Sequence, residues 1–146
     1  MATWIYPFQK FEGGIIRPWI NVKIVNPINN KEVSVMALLD TGADHCVFPQ
    51  FVCERLGIDL KDKNAPQEEM QGLADTKVLV WKHTFRINLD SPDKRTTVWK
   101  SKDLIIGCVE HDNIPPILGF SNFMCKFKIT FNHATQKIIL DDRPII

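Results

Sequence analysis

The chain has 146 residues, 45% of them hydrophobic and 24% charged, enough for one domain with a single sizeable core. Eighteen Lys and Arg against seventeen Asp and Glu leave a formal charge of +1, which excludes the strong field that recruits nucleic acid or an anionic membrane. No run of roughly 18 apolar residues occurs, and the N-terminal stretch has no apolar core behind basic residues, so neither a membrane span nor a secretory leader is expected.

Residues 1–17, "MATWIYPFQKFEGGIIR", are aromatic-rich and read as an N-terminal extension that packs on the domain or adds to a subunit interface, or as the remnant of a processed precursor. From residue 18 onward the signals are mostly those of strands. "RPWINVKIVN" alternates through Trp19 or Ile20, Val22 and Ile24, and "KEVSVMALLD" through Val33, Val35 and Ala37. The intervening "NPINN" supplies turn residues, so the two form a hairpin that delivers Asp40 at its end. "PQFVCERLG" reads as a short helix, with Pro49 near its first turn, Phe51, Val52 and Leu56 on one side, and Gly57 as its stop.

The polar segment from Ile58 to Asp75 is broken by Pro66 and Gly72 and leads into "TKVLVWKHTFRINL", a long strand, so a hairpin projects from the sheet here. "SPDKRTTVWKSKDLIIGCV" adds a turn and two strands, and "IPPILGF" ends an apolar run on Gly119. "SNFMCKF" suits one or two helical turns with Ser121 as N-cap, and "KITFNHATQKIIL" a hairpin turning near Asn132 to Gln136. About eight short strands and one or two short helices give an all-β expectation, a small barrel or sandwich in one domain.

Cys46, Cys53, Cys108 and Cys125 are widely spaced, without a CxxC pair, and no Asn-x-Ser/Thr acceptor is present, which suits a reducing compartment such as the cytoplasm. With His45, His83, His111 and His133 they never reach zinc-ligand spacing, and no HExxH occurs, so neither metal nor other cofactor is expected.

The chemistry concentrates in "ALLDTGADHCVF", residues 37–48. An apolar pair, Leu38 and Leu39, precedes Asp40, and Thr41 and Gly42 add a hydroxyl and a backbone free to take unusual angles, a combination that holds a carboxylate in a tight loop. Together with the later "PPILGF", Leu-Leu-Asp-Thr-Gly-Ala-Asp resembles the retropepsin-like aspartic proteases of retroviruses, retrotransposons and cellular or bacterial relatives. The likeness spans residues 18 to 140. It implies a small closed β-barrel of the acid-protease type, one lobe per chain, over residues 18–146, located in the cytoplasm, or in a virion for a retroelement product.

Aspartic proteolysis needs two carboxylates close enough to share a proton, one acting as base toward water and the other as acid toward the carbonyl. The chain holds one Asp-Thr-Gly; Asp90-Ser91-Pro92 lacks the glycine. The expected partner is therefore Asp40 of a second copy, in a homodimer with the site on its twofold axis.

By the same resemblance, Asp40 activates the water, Thr41 bridges the two catalytic loops, and Gly42 lets the backbone approach an extended peptide substrate. Ala43, Asp44 and Val47 line the cleft, with Asp44 accepting from substrate amides. Leu38, Pro115 and Ile117 form apolar pockets, and Leu118 and Gly119 pack beside the catalytic loop. Gln71, Gly72, Leu73 and Ala74 would be the tip of a flap that closes the cleft; the bland alternative is an ordinary surface hairpin.

Two positions depart from the viral pattern. Phe120 stands where Arg commonly pairs with the residue at 44, and with Phe123 and Phe127 it is more similar to cellular and bacterial members; His45 replaces a frequent acidic residue. His45 either tunes cleft charge or sits on a solvent-facing rim. Cys46 by default is a buried inert thiol, and Trp4, Trp19, Trp81 and Trp99 read more readily as sheet packing than as a peptide groove. Two functions stay open: an active homodimeric aspartic endopeptidase, or a noncatalytic dimerisation or peptide-binding module that keeps the fold.

Overall fold

A computed structural model describes residues 2–10, 13–71 and 76–142. In chain order these form strands β1 (Ala2–Pro7), β2 (Gln9–Lys10), β3 (Ile16–Arg17), β4 (Trp19–Val25), β5 (Glu32–Leu39) and β6 (Val47–Pro49). Helix α1 (Gln50–Arg55) follows, then β7 (Gln67–Gln71), β8 (Lys77–Asp90), β9 (Thr97–Lys100), β10 (Leu104–Val109) and β11 (Ile117–Leu118). A 3-10 turn (Met124–Lys126) leads to the final hairpin, β12 (Lys128–Asn132) and β13 (Lys137–Asp142). The all-β class read from the sequence is the class observed.

The principal sheet runs β10-β6-β11-β5-β4-β8-β7, with β9 also on β8; β8 pairs back onto β10, so the strand order closes into a ring. Its inner face follows from the period-two pattern: Ile20, Val22 and Ile24 of β4, Ala37 and Leu39 of β5, and Phe85, Ile87 and Leu89 of β8 are all buried. Phe48 and Phe85 meet edge to face at 5.1 Å in this core, where truncating either to Ala costs about 3–5 kcal/mol.

Asn residues do most of the work in the β4–β5 turn. The Asn26 and Asn29 side-chain carbonyls accept the Ile28 and Lys31 amides, while both side-chain amides donate to Leu56 O at 3.0 Å. The turn thereby also satisfies a carbonyl at the end of α1. At the other end of that helix Asp112 accepts the Phe51 amide at 3.0 Å.

The N-terminal segment is built into a second sheet, β1-β13-β12, in which Ala2 to Pro7 pair with Asp142 to Lys137. Tyr6 is buried, and its hydroxyl donates to Asp90 O at 2.5 Å. Trp4 lies edge-on to Phe127, which also meets Trp99 and Phe123. An aromatic cluster thus joins β1, β9 and the chain after β11.

Two sequence expectations are corrected. Thirteen strands are present among the described residues rather than about eight, because β2, β3, β6 and β11 are two or three residues long and exist only through their neighbours. Ser121 caps no helix: the 3-10 turn starts at Met124 without a side-chain cap, and the Ser121 hydroxyl is used elsewhere.

Candidate active site

Asp40 stands where β5 stops. Leu39 is buried and Leu38 half-buried, so the strand is anchored up to the residue before the carboxylate. β11 inserts between β5 and β6, parallel to the first and antiparallel to the second, with Ile117 opposite both Leu38 and Val47. Leu38 N–H donates to Pro116 O at 2.9 Å and Asp40 N–H to Leu118 O at 3.2 Å. The Asp40–Cys46 loop therefore bridges two strands that a third, distant segment separates.

Within the loop, Gly42 N–H donates to Asp40 Oδ1 at 2.9 Å and Ala43 N–H to Asp40 O at 3.1 Å. Gly42 does not adopt a positive φ, contrary to the expectation of unusual backbone angles. Its use is proximity: a Cβ there would lie 3.3 Å from Oδ1. Thr41 is exposed, and among the described residues neither its hydroxyl nor Asp40 Oδ2 has a hydrogen-bond partner in the chain. Asp90, followed by Ser91 and then Pro92 in place of a glycine, is buried and committed to Asn21 at 2.7 Å and Lys23 at 3.7 Å.

Residues 118–122 run beside the loop and grip it. Phe120 N–H donates to Ala43 O and Ser121 N–H to Asp44 O, both at 2.9 Å. Cys46 N–H donates to Asn122 Oδ1 at 3.2 Å, Gly119 N–H reaches Cys46 Sγ at 3.4 Å, and His45 Nδ1 meets Ser121 Oγ at 2.7 Å. Phe123 is fully buried, but Phe120 is 62% exposed, so the three phenylalanines do not pack as one group. Phe120 anchors the loop through its backbone.

A groove of about 390 Å³ opens along the loop, lined by Gly42, Ala43, Asp44, His45, Val47 and Ile117, with Met70 and Gln71 from β7. Behind it Val47, Val80 and Val109 are buried with Met70, Val78, Ile114 and Ile117 against them, an apolar wall shared by the loop and the β7–β8 hairpin. Leu38 and Pro115 lie near, on β5 and before β11, but outside this lining. Gly72, Leu73 and Ala74 of the expected flap tip lie outside the described residues; Gln71 ends β7 on the groove. A cleft of about 440 Å³ elsewhere, between the Asn26–Asn29 turn and the Asp59–Pro66 loop, includes none of these residues.

Sequence reasoning missed Met70, Ile114, Val80, Ser121 and Asn122. Val78 and Val80 carried a signal, their period of two along β8; the Asn122 side chain carried none, because its acceptor role depends on where Cys46 lies.

Electrostatics separate the reactive from the inert groups. Burial pushes the Cys46 thiol up to about 11, so it stays protonated and unreactive near neutrality. Lys82, 2.6 Å from the Glu68 carboxylate at the groove's edge, holds that carboxyl below the usual range. Among the described residues no three His, Cys, Asp or Glu side chains are grouped to hold a metal ion.

Residues 22–121 match the sequence profile of the aspartyl protease family, a span that includes the Asp40 loop, the β7–β8 hairpin and the 118–121 grip. The chain belongs to that family. A retropepsin-like aspartic protease from Rickettsia conorii has a similar structure, at 16% identity and a TM-score of 0.61, over 95% of this chain and 91% of that one. The retroviral protease-like domain of Ddi1 from Leishmania major is similar at 12% identity and a TM-score of 0.54, over 88% and 91%. At these identities the likeness is one of fold: this family member has the retropepsin-like architecture. No curated protein matches the sequence.

Proposed function

We propose that the chain is an aspartic endopeptidase that acts as a homodimer, each subunit supplying Asp40. The observation that carries the reading is the Asp40 turn: a half-exposed carboxylate, oriented by Gly42 N–H at 2.9 Å, in the loop whose Gly42–His45 stretch lines a groove with an apolar wall. Among the described residues no cation pairs with it. Such a carboxylate is free to share a proton with its twin, and like charges so close leave one protonated and one ionised.

The ionised Asp40 takes a proton from water as its oxygen bonds to the scissile carbonyl carbon, while the protonated Asp40 gives its proton to the carbonyl oxygen. The tetrahedral diol then collapses: the C–N bond breaks, the amide nitrogen receives a proton from the dyad, and a diol hydroxyl returns one. Thr41 joins the two loops below the dyad. The substrate lies extended in the groove, its backbone bonding to the Gly42–Asp44 segment and its alternate side chains facing the wall that includes Val47 and Ile117. The β7–β8 hairpin closes over it, and Leu38 and Pro115 complete apolar pockets in the assembled dimer.

The test compares wild type with Asp40→Asn on a mixed peptide library. Cleavage by wild type that vanishes in the variant supports the reading, whereas equal cleavage by both overturns it. Peptide retention without cleavage by either would mark a noncatalytic binding module.

A further inference from the structure

The ribbon β2–β3 keeps its apolar side chains in water. Among the described residues its two strands pair only with each other, Gln9 with Arg17 and Lys10 with Ile16. Ile15 is 71% and Ile16 40% exposed, and neither belongs to the core. A two-stranded ribbon standing alone in water is marginal. Two neighbouring isoleucines on it need a cover that one chain does not supply.

The roots of the ribbon fix where it points. At one root Phe8 packs against the core and its N–H donates to Gln136 O at 2.8 Å. At the other, Leu39 N–H donates to Pro18 O at 3.2 Å, which carries the β4–β5 register, Trp19 opposite Leu38, one residue further. The same register sets Arg17 level with Asp40. There β5 ends and turns into the Asp40–Cys46 loop, whereas the chain beside it runs on through Ile16 and Ile15. At about 3.3 Å per residue, Ile15 lies about 7 Å beyond the level of Asp40. The ribbon therefore overhangs the end of the sheet that carries the carboxylate.

We infer that a second copy of this chain covers Ile15 and Ile16, so that the two ribbons clasp the pair about its twofold axis. The inference rests on the homodimer of the proposed function. Two Asp40 carboxylates that share a proton lie about 3 Å apart, so the axis passes beside Asp40. A ribbon that overhangs Asp40 then meets the partner, and in an isologous contact each isoleucine enters the interface twice. Ile28, 92% exposed in the turn at the opposite end of β4 and β5, stays clear of that axis.

The experiment measures sedimentation equilibrium of the full chain over a dilution series, with cleavage of a mixed peptide library at each concentration, for wild type, Ile15→Ser/Ile16→Ser and Ile28→Ser. The double variant should raise the dimer dissociation constant by roughly tenfold or more, the size of one apolar side chain left uncovered, and its activity per chain should fall at correspondingly higher concentration. Ile28→Ser should match wild type in both. A second measurement is independent of any loss of folding in the double variant: in a Cys125→Ser background, spin labels on Ile15→Cys should lie closer across the dimer than labels on Ile28→Cys. A wild type that is monomeric at every concentration overturns the inference. So does a double variant that dimerises as tightly as wild type, even if its KM rises, which would give the ribbon to the substrate; so do Ile15 labels no closer than those at Ile28. A dimer that needs the ribbon but cleaves nothing sinks the protease reading and leaves this inference standing. Cleavage by a dimer indifferent to the ribbon does the reverse.

Discussion

Gly119 and the carbonyl of His45 are in direct backbone contact: a Cβ on Gly119 would lie 2.4 Å from both the carbonyl carbon and the carbonyl oxygen of His45, and 2.9 Å from Ala43 O. No rotamer relieves such an overlap, since the obstructing atoms are main chain on both sides. Gly119→Ala must push the Asp40 loop away from the 118–122 segment. The expected cost is about 3 kcal/mol, toward the upper end for overpacking, read as a lowered midpoint in chemical denaturation. Cleavage should fall further than stability alone accounts for, because the displaced loop carries Asp40.

Thiol labelling should be ordered by burial. Cys46, Cys53 and Cys108 are buried and only Cys125 is partly exposed. Burial raises Cys46, while a hydrogen bond with Cys53 and then burial raise Cys108. Iodoacetamide at neutral pH should modify the native protein at Cys125 alone, with the other three labelled after unfolding, as mass spectrometry of the peptides will report.

Tyr6 ties stability to alkaline pH. Burial first, and the Asp90 charge second, raise its phenol above the ordinary value of 10.0. The folded state therefore holds this proton more tightly than the unfolded chain does. The resulting stability is complete below the unfolded-state value of about 10 and is lost as pH rises through and beyond it. Tyr6→Phe should lose about 1 kcal/mol at neutral pH with the hydrogen bond to Asp90 O, and should lose less than wild type between about pH 8 and 10.5 in denaturant titrations.

Removing residues 2–7 should do more than shorten a tail. β1 covers Ile138 and Leu140, both fully buried, and contributes Tyr6 and Trp4. The truncated chain should bind a hydrophobic dye and lose near-ultraviolet circular dichroism, while Trp4→Ala alone should lower stability by about 2 kcal/mol.

Specific activity should depend on concentration. If each dyad takes one Asp40 from each of two chains, activity per chain should fall on dilution in step with dimer dissociation measured by sedimentation. Activity proportional to concentration in a preparation that sediments as a monomer would exclude the shared dyad.

Strands with a long period-two pattern were legible, and so was the Asp40 motif, because side-chain alternation and a glycine turn are local properties. β4, β5 and β8 owe their burial to residues two apart, and nothing distant is needed to see it. β11 is different. "PPILGF" shows an apolar run, but the two-residue strand exists only because β5 and β6 leave a gap for it. Ser121 reads as a helix-start residue for the same reason: local propensity names the types able to cap, while the groups that Ser121 and Asn122 meet, the His45 ring and Cys46 N–H, come from a segment far back in the chain.

The insertion of β11 between β5 and β6 also orders events during synthesis. Asp40 leaves the ribosome early, but the carbonyl that fixes its amide belongs to Leu118, and the grip on its loop ends at Asn122. Until nearly the whole domain has emerged, the central strand is absent and the carboxylate sits on an unformed loop. A chain built this way cannot hold the Asp40 loop in its final shape while most of its own backbone is still extended. Its slowest contacts to form, the distant pairings of β11, are the ones that complete the site.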